Sequence, residues 1–363
     1  MFDNTGIFDP TAVVFKGDGE PVNNKILAQR LSSIIENNLI EEDNYSVGGT
    51  VAKLEKEMAE VLGKESAIFM PTGTLANHLA IRNHARRYPR AIVQERSHLY
   101  LDSGDSMQRL SSIHLVPLAP SRPYFTLAEV KEELEKSVSG RVLTPVGALM
   151  IESPVRRCHG RVMPFSEMKK ITDLCKESGI GSHLDGARLF MMSATSGKTV
   201  GEYSELFDTI YVSMWKYFGA PFGAILAGNY EFCKNLHHER RMFGSGLPSA
   251  SMAAALAIEG SKRFFEFFDG AVEAGNNLVE HLNSFKLIDA TPFSDGSNIF
   301  PVKLSGKVDC KNFCLQLRKK GIFVNDENED NSIIYLTVNI TILRRKLDVL
   351  LSDFSEALEK SLK

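Results

Sequence analysis

An acid, an arginine and a lysine in this chain are spaced as a reactive group needs them. Asp185 follows a short run of small and apolar residues, and Arg188 stands three residues on. Lys216 comes just after a second apolar run, 209–214, and is followed by Gly219, Ala220, Pro221 and Gly223. Burial disfavours an ammonium, so a lysine at the end of a buried strand tends toward a nucleophilic amine. Such an amine forms a Schiff base with a carbonyl substrate or with pyridoxal phosphate. The acid upstream points to the cofactor, because PLP needs a carboxylate opposite its ring nitrogen to act as an electron sink. Taken singly these residues say little: Asp-Gly pairs are common in loops, and a strand-end lysine also snorkels to water. Their combination and spacing carry the reading.

The surrounding elements must bring these residues together. Residues 1–20 read as an irregular segment. Helical spacing of apolar residues marks 25–38 and 50–62, the latter with Thr50 as N-cap and Gly63 as C-cap. A short buried strand, 66–70, leads into Pro71, Gly73 and Thr74 and then a helix. That strand, small-residue turn and helix start make an anion site, since free N–H groups and the helix dipole point at the ligand. Further strands are expected at 91–93, 112–117, 148–151, 209–214 and 224–227, with one more ending at Asp185. Helices are expected at 127–138, opened by Thr126, and at 165–177, with Ser166 as cap. This alternation implies an α/β fold: a mostly parallel, doubly wound sheet with helices on both faces. Ligands of such sheets sit at the carboxyl ends of the strands. The Thr74 turn, His98, Arg157, Asp185 and Lys216 all follow strand ends, so one site can gather them. Two helices, 246–259 and 262–285, lead into a smaller α/β part with strands at 299–302, 322–324 and 333–338 and helices at 309–319 and 342–362. The expected division is 1–20 as an N-terminal segment, 21–260 as a large domain and 261–363 as a small C-terminal domain.

The bulk numbers fit a globular protein with no excess charge. The 363 residues carry 42 Lys+Arg against 45 Asp+Glu, a net charge of −3, and contain no basic tract, which argues against a nucleic-acid partner. Five cysteines without a CxxC pair suggest a reduced, cytoplasmic protein. The start lacks a basic region followed by a long apolar run, so no signal peptide is expected. No apolar run approaches the roughly 18 residues of a membrane span. A nicotinamide-binding domain would share the strand–helix alternation, but no GxGxxG follows the first strand.

At HLDGARLF (183–190), with the lysine 28 residues after Arg188, the chain resembles the threonine aldolase and β-eliminating lyase family of fold-type I PLP enzymes. GAPFGAILAG after the lysine, PTGTLANHLAI at the turn and LEKEMAEVLGKESAIFMPTGT before it are similar to the family's segments, and the likeness covers most of 15–340. The resemblance implies a large PLP-binding domain, a smaller C-terminal domain, a small-molecule amino-acid substrate and a homodimer or homotetramer with sites between subunits. It implies that Lys216 carries the Schiff base and shuttles protons, that Asp185 pairs with the ring nitrogen, and that Arg188 bonds the cofactor's phenolic oxygen. Gly73, Thr74 and Ser213 would hold phosphate. His98 would stack on the ring and take the proton of a side-chain hydroxyl; otherwise it is a surface histidine. Tyr45 resembles a tyrosine that reaches a neighbouring subunit's site, and Arg157 and Arg161 resemble two arginines of one loop.

Three departures fall on anchoring positions. Lys16–Gly17–Asp18 stands where the family has Arg-Ser-Asp, and 245–249 lacks an arginine thought to help hold phosphate. Tyr335 occupies the place of the arginine that clamps a substrate carboxylate, so a bidentate charged fork is replaced by one hydroxyl. The implied activity is retro-aldol cleavage of a β-hydroxy-α-amino acid to glycine and an aldehyde. The alternatives are β-elimination, another amino-acid or amine substrate, or a non-catalytic PLP-binding homologue.

Overall fold

The computed structural model describes residues 5–325 and 332–363. Its contacts group the chain into two compact units: Ser33–Trp215 with Ala220–Ala257, and Met1–Ser32 with Lys216–Gly219 and Ile258–Lys363.

The first unit is built on a seven-stranded sheet. Its spatial order is Ser66–Met70, Ala224–Gly228, Thr209–Ser213, Gly181–Asp185, Ala148–Glu152, Arg90–Gln94 and His114–Leu118. Only Ala224–Gly228 runs against its neighbours. Every residue of Ala148–Glu152, Thr209–Ser213 and Ala224–Gly228 is buried, the mark of strands covered on both faces. This is the mostly parallel α/β sheet expected from the alternation.

Local chemistry starts the helices, with two corrections to the expected caps. Thr72 caps Gly73–His84 by accepting the Leu75 N–H at 3.2 Å, and Thr126 with Glu129 makes a reciprocal capping box on Leu127–Ser139. Thr50, however, lies inside the helix Gly49–Leu62, and its hydroxyl accepts the Glu41 N–H at 2.8 Å. Ser166 is likewise inside Phe165–Glu177, which starts after Pro164 without a side-chain cap. Two short helices, His98–Leu101 and Ser106–Ser111, span too few turns to show a period in sequence.

In the second unit, Val13–Phe15 pairs in parallel with Ile322–Val324, so part of the segment expected to be irregular is a strand. Its partner lies some 300 residues away, which local patterning cannot show. Asn339 Nδ2 donates to the Val14 carbonyl at 2.8 Å, and Thr341 Oγ1 accepts the Val14 N–H at 2.9 Å. Ile299–Leu304 pairs antiparallel with Ile333–Thr337 and Ile288–Asp289. The helices read at 246–259 and 262–285 are one continuous helix, Ala250–Leu282. Gly260, inside this helix, serves a close approach: a Cβ there would lie 1.8 Å from the Phe218 carbonyl oxygen. No helix among the described residues is long and apolar enough to cross a membrane.

Candidate active site

Asp185 ends its strand with 2% of its surface exposed. Asn77, one turn into the helix that follows the Gly73 turn, donates from Nδ2 to Asp185 Oδ2 at 2.6 Å. The Ala187 N–H donates to Oδ1 at 3.1 Å. Both oxygens therefore carry a donor while the carboxylate stays buried, as a buried charge requires.

The neighbouring strand ends place a second acid and a phenol in the same layer. Glu152 is in register with Asp185 on one side, and Tyr211 on the other. Burial and the charge of Asp185 push the Glu152 carboxyl above its usual range, against the Arg156 and His98 N–H groups that bond it. Burial, and then Asp185, likewise raise the Tyr211 phenol. Glu152 holds two loops at once: Oε2 accepts the His98 N–H at 2.6 Å and Oε1 the Arg156 N–H at 3.0 Å.

The Gly73 turn is packed tightly onto this layer. A Cβ on Gly73 would lie 2.0 Å from the Tyr211 hydroxyl, so no other residue fits. Thr72 occupies the Leu75 and Ala76 N–H groups through its side chain and carbonyl. That leaves the Gly73 and Thr74 N–H groups, which no helix carbonyl can reach, to face an anion. Ser213 lies two residues beyond Tyr211 on the same strand face. Its Oγ is fully buried and sits by the Tyr211 hydroxyl without a hydrogen bond of acceptable geometry. An unsatisfied buried hydroxyl and two unused N–H groups fit the phosphate of a PLP-type cofactor.

Thr74 and His98 meet directly, Oγ1 to Nε2 at 3.0 Å. Asp102 lies 3.8 Å from His98 Nδ1. Its carboxylate takes both loop arginines, Arg156 Nη2 at 2.6 Å and Arg157 Nε at 3.1 Å. Those guanidiniums, Arg157 foremost, hold the Asp102 carboxyl down to about 2. Arg157, expected to bind substrate, is thus committed to an acid of its own unit. Arg188 is almost fully buried just before the helix Leu189–Ser196, within charge reach of Glu152 and Tyr211.

Tyr45 is half-exposed with φ at 51°, and the Arg241 guanidinium lies 4.7 Å over its ring. Its loop is fastened from within: Arg240 Nη2 donates to the Ser46 carbonyl at 3.0 Å, and Asp43 accepts the Ser46 and Ser251 N–H groups at 2.7 Å. Lys216 follows Ser213 by three residues and belongs to the second unit, as does Tyr335, which sits opposite Pro301 in the strand Ile333–Thr337. The strand before the lysine ends at Ser213, one residue earlier than expected.

Asn77, Glu152, Asp102 and Tyr211 were not singled out by sequence reasoning. One local signal marks Asn77, an amide one helical turn past the small-residue turn; Glu152, Tyr211 and Asp102 show their roles only once strand register and loop contacts are in place.

The family model described as beta-eliminating lyase matches residues 30–304. The low specificity L-threonine aldolase of Saccharomyces cerevisiae is 34% identical over 216 residues, 59% of this chain and 55% of the yeast protein. The matched stretch thus spans little more than half of that relative. Two solved structures align along nearly the whole length, each over 98% of both chains. One is a candidate L-allo-threonine aldolase from Listeria monocytogenes, 29% identical with a TM-score of 0.82. The other, a candidate aromatic amino acid beta-eliminating lyase/threonine aldolase from an Exiguobacterium species, is 25% identical with a TM-score of 0.83. With this fold, that of the fold-type I PLP enzymes, and a family match over three quarters of its length, the chain belongs to the beta-eliminating lyase family.

Proposed function

We propose that the protein is a PLP-dependent carbon–carbon lyase that cleaves a threonine- or allo-threonine-like β-hydroxy-α-amino acid to glycine and an aldehyde. The observation that carries this reading is the layer at the strand ends: a buried, doubly bonded Asp185 beside a Gly73 turn and an unsatisfied Ser213 hydroxyl. PLP, when bound, supplies the electron sink for the pair released as a bond to Cα breaks. The chain's residues supply the rest. Lys216 would provide the amine that holds the cofactor and would return a proton to Cα. With PLP bound, Asp185 would pair with the ring nitrogen and Arg188 with the phenolic oxygen. The Gly73 and Thr74 N–H groups and Ser213 Oγ would hold the phosphate.

His98 Nε2 accepts the β-hydroxyl proton, exchanging its present partner Thr74 Oγ1 for the substrate. Glu152, through the His98 backbone, and Asp102, beside Nδ1, keep that ring in place. With its guanidinium engaged by Asp102, which Arg156 shares, Arg157 is a weaker carboxylate clamp, and Tyr335 supplies only a hydroxyl. That pairing favours one second reading, a different amino-acid or amine substrate on the same cofactor. The half-exposed ring of Tyr45 suits a homodimer or homotetramer, and five cysteines without a CxxC pair suit the cytoplasm.

The test is a product assay with L-threonine and L-allo-threonine. Glycine and acetaldehyde should appear in equal amounts, and His98→Asn should lower kcat while the cofactor stays bound. Cofactor binding with no glycine from either substrate would overturn the aldolase reading and leave the second.

A further inference from the structure

The hydrogen bond from Asn77 to Asp185 is the end of a longer chain through the core of the first unit. Asn77 Oδ1 lies 3.0 Å from His183 Nε2, and His183 Nδ1 lies 2.9 Å from Thr209 Oγ1. Thr209 Oγ1 in turn lies 2.8 Å from His84 Nε2. Asn77, His183 and Thr209 are all buried, and none has water to fall back on.

The partners fix where each proton sits. A carboxylate only accepts, so the Asn77 amide turns its NH₂ to Asp185 and its oxygen to His183. His183 must then carry its proton on Nε2. Its bare Nδ1 needs a donor, and the Thr209 hydroxyl is the one beside it. Thr209 Oγ1 accepts in its turn from His84 Nε2–H. All four bonds run one way, toward Asp185, and bonds aligned in series polarise one another in a low-dielectric core. The scheme requires both histidines to be neutral. Burial does this, holding His183 at about 3 and His84 at about 4. The packing makes room for the far end as well: a Cβ on Gly181 would lie 2.4 Å from the His84 ring, which stacks on Phe232.

We propose that Asn77, His183 and Thr209 are positioning residues, forming with His84 a one-directional hydrogen-bond chain that sets the orientation of Asp185 toward a pyridine-type ring nitrogen. This rests on the reading of Asp185 as the acid opposite the ring of PLP. The charged and titratable groups facing the chain are Glu152, Arg188 and Tyr211 at the Asp185 end and Asp208 beside His84.

The test uses the full chain with PLP labelled with ¹⁵N in the ring, comparing wild type, Asp185→Asn, Asn77→Ala and Thr209→Val. Thr209→Val keeps the side chain's shape and removes the hydroxyl that links the two histidines, so it serves even if Asn77→Ala fails to fold. The readouts are PLP affinity and the ¹⁵N shift followed from pH 6 to 9. The wild-type nitrogen should hold its proton across that range. Asn77→Ala should bind PLP about tenfold or more weakly, the scale of a lost hydrogen bond to a charged group. Thr209→Val should bind it about two- to fivefold more weakly, and both should lose the ring proton at lower pH than wild type. If Asp185→Asn alters the shift while Thr209→Val and a folded Asn77→Ala match wild type, the chain is structural only and the proposal is wrong. If wild type binds no PLP, the cofactor reading fails and takes this proposal with it.

Discussion

Replacing Gly73 by alanine tests how closely the turn is fitted to the sheet beneath it. The new Cβ would lie 2.0 Å from the Tyr211 hydroxyl oxygen and 2.1 Å from its ring carbon Cζ. Non-bonded carbons rest at about 3.5–4 Å, so one side must retreat by more than an ångström. Tyr211 cannot: it is 3% exposed, on a strand buried along its whole length. The turn must lift instead, at a cost of about 1–3 kcal/mol for overpacking a filled core. Tyr211→Ala alone should cost about 3–5 kcal/mol through the cavity it opens. In the double variant the methyl enters that cavity. The two costs should therefore fall short of adding by about 1–2 kcal/mol, within the range measured for residues in contact. Urea unfolding of the four proteins measures this. Costs that add to within about 0.5 kcal/mol would refute the contact on which the phosphate-turn geometry depends.

Arg240→Met should destabilise by about 3–5 kcal/mol, because the buried guanidinium bonds the Phe69 and Ser46 carbonyls and faces Glu55, which burial already pushes up to about 7. Denaturant melts would show it, and Glu55→Gln in the same chain should recover part of the loss. Gly260→Ala in an exposed helix would gain about 1 kcal/mol of helix propensity. Here it should lower the melting temperature, because the methyl would meet the Phe218 carbonyl at 1.8 Å. Asp102 is depressed to about 2 from the model-peptide value of 3.8, so its ion pairs stabilise above pH 4 and that contribution is lost as pH falls toward 2. Asp102→Asn should therefore melt lower than wild type at neutral pH, and the gap should close by pH 2. Solvent screens the two partly exposed arginines and keeps the effect modest.

The sheet was legible because its strands are short apolar runs between glycine, proline and polar residues, the pattern that burial on both faces demands. Strand ends fell within a residue or two of expectation. Asp185, Thr74 and His98 stand out in sequence because each follows such a run, and the structure places all three in the first unit. Glu152 and Tyr211 emerge only with the register, since nothing local says that 152, 185 and 211 lie side by side. Gly260 lies between the two helices read at 246–259 and 262–285, yet it serves a close approach inside one helix, and that depends on a carbonyl 42 residues away. The pairing of Arg157 with Asp102 depends on two loops meeting across 55 residues, beyond any periodic signal. Val13–Phe15 is too short to show alternation and takes its identity as a strand from Ile322–Val324.

The most direct test of the account is the absorbance spectrum of the purified protein with added PLP, for wild type and Lys216→Ala, before and after glycine, L-threonine and L-allo-threonine. A cofactor band near the visible edge should appear in wild type, shift with these amino acids, and be absent in Lys216→Ala. No such band in wild type, or an identical one in Lys216→Ala, would contradict the assignment of cofactor and lysine together.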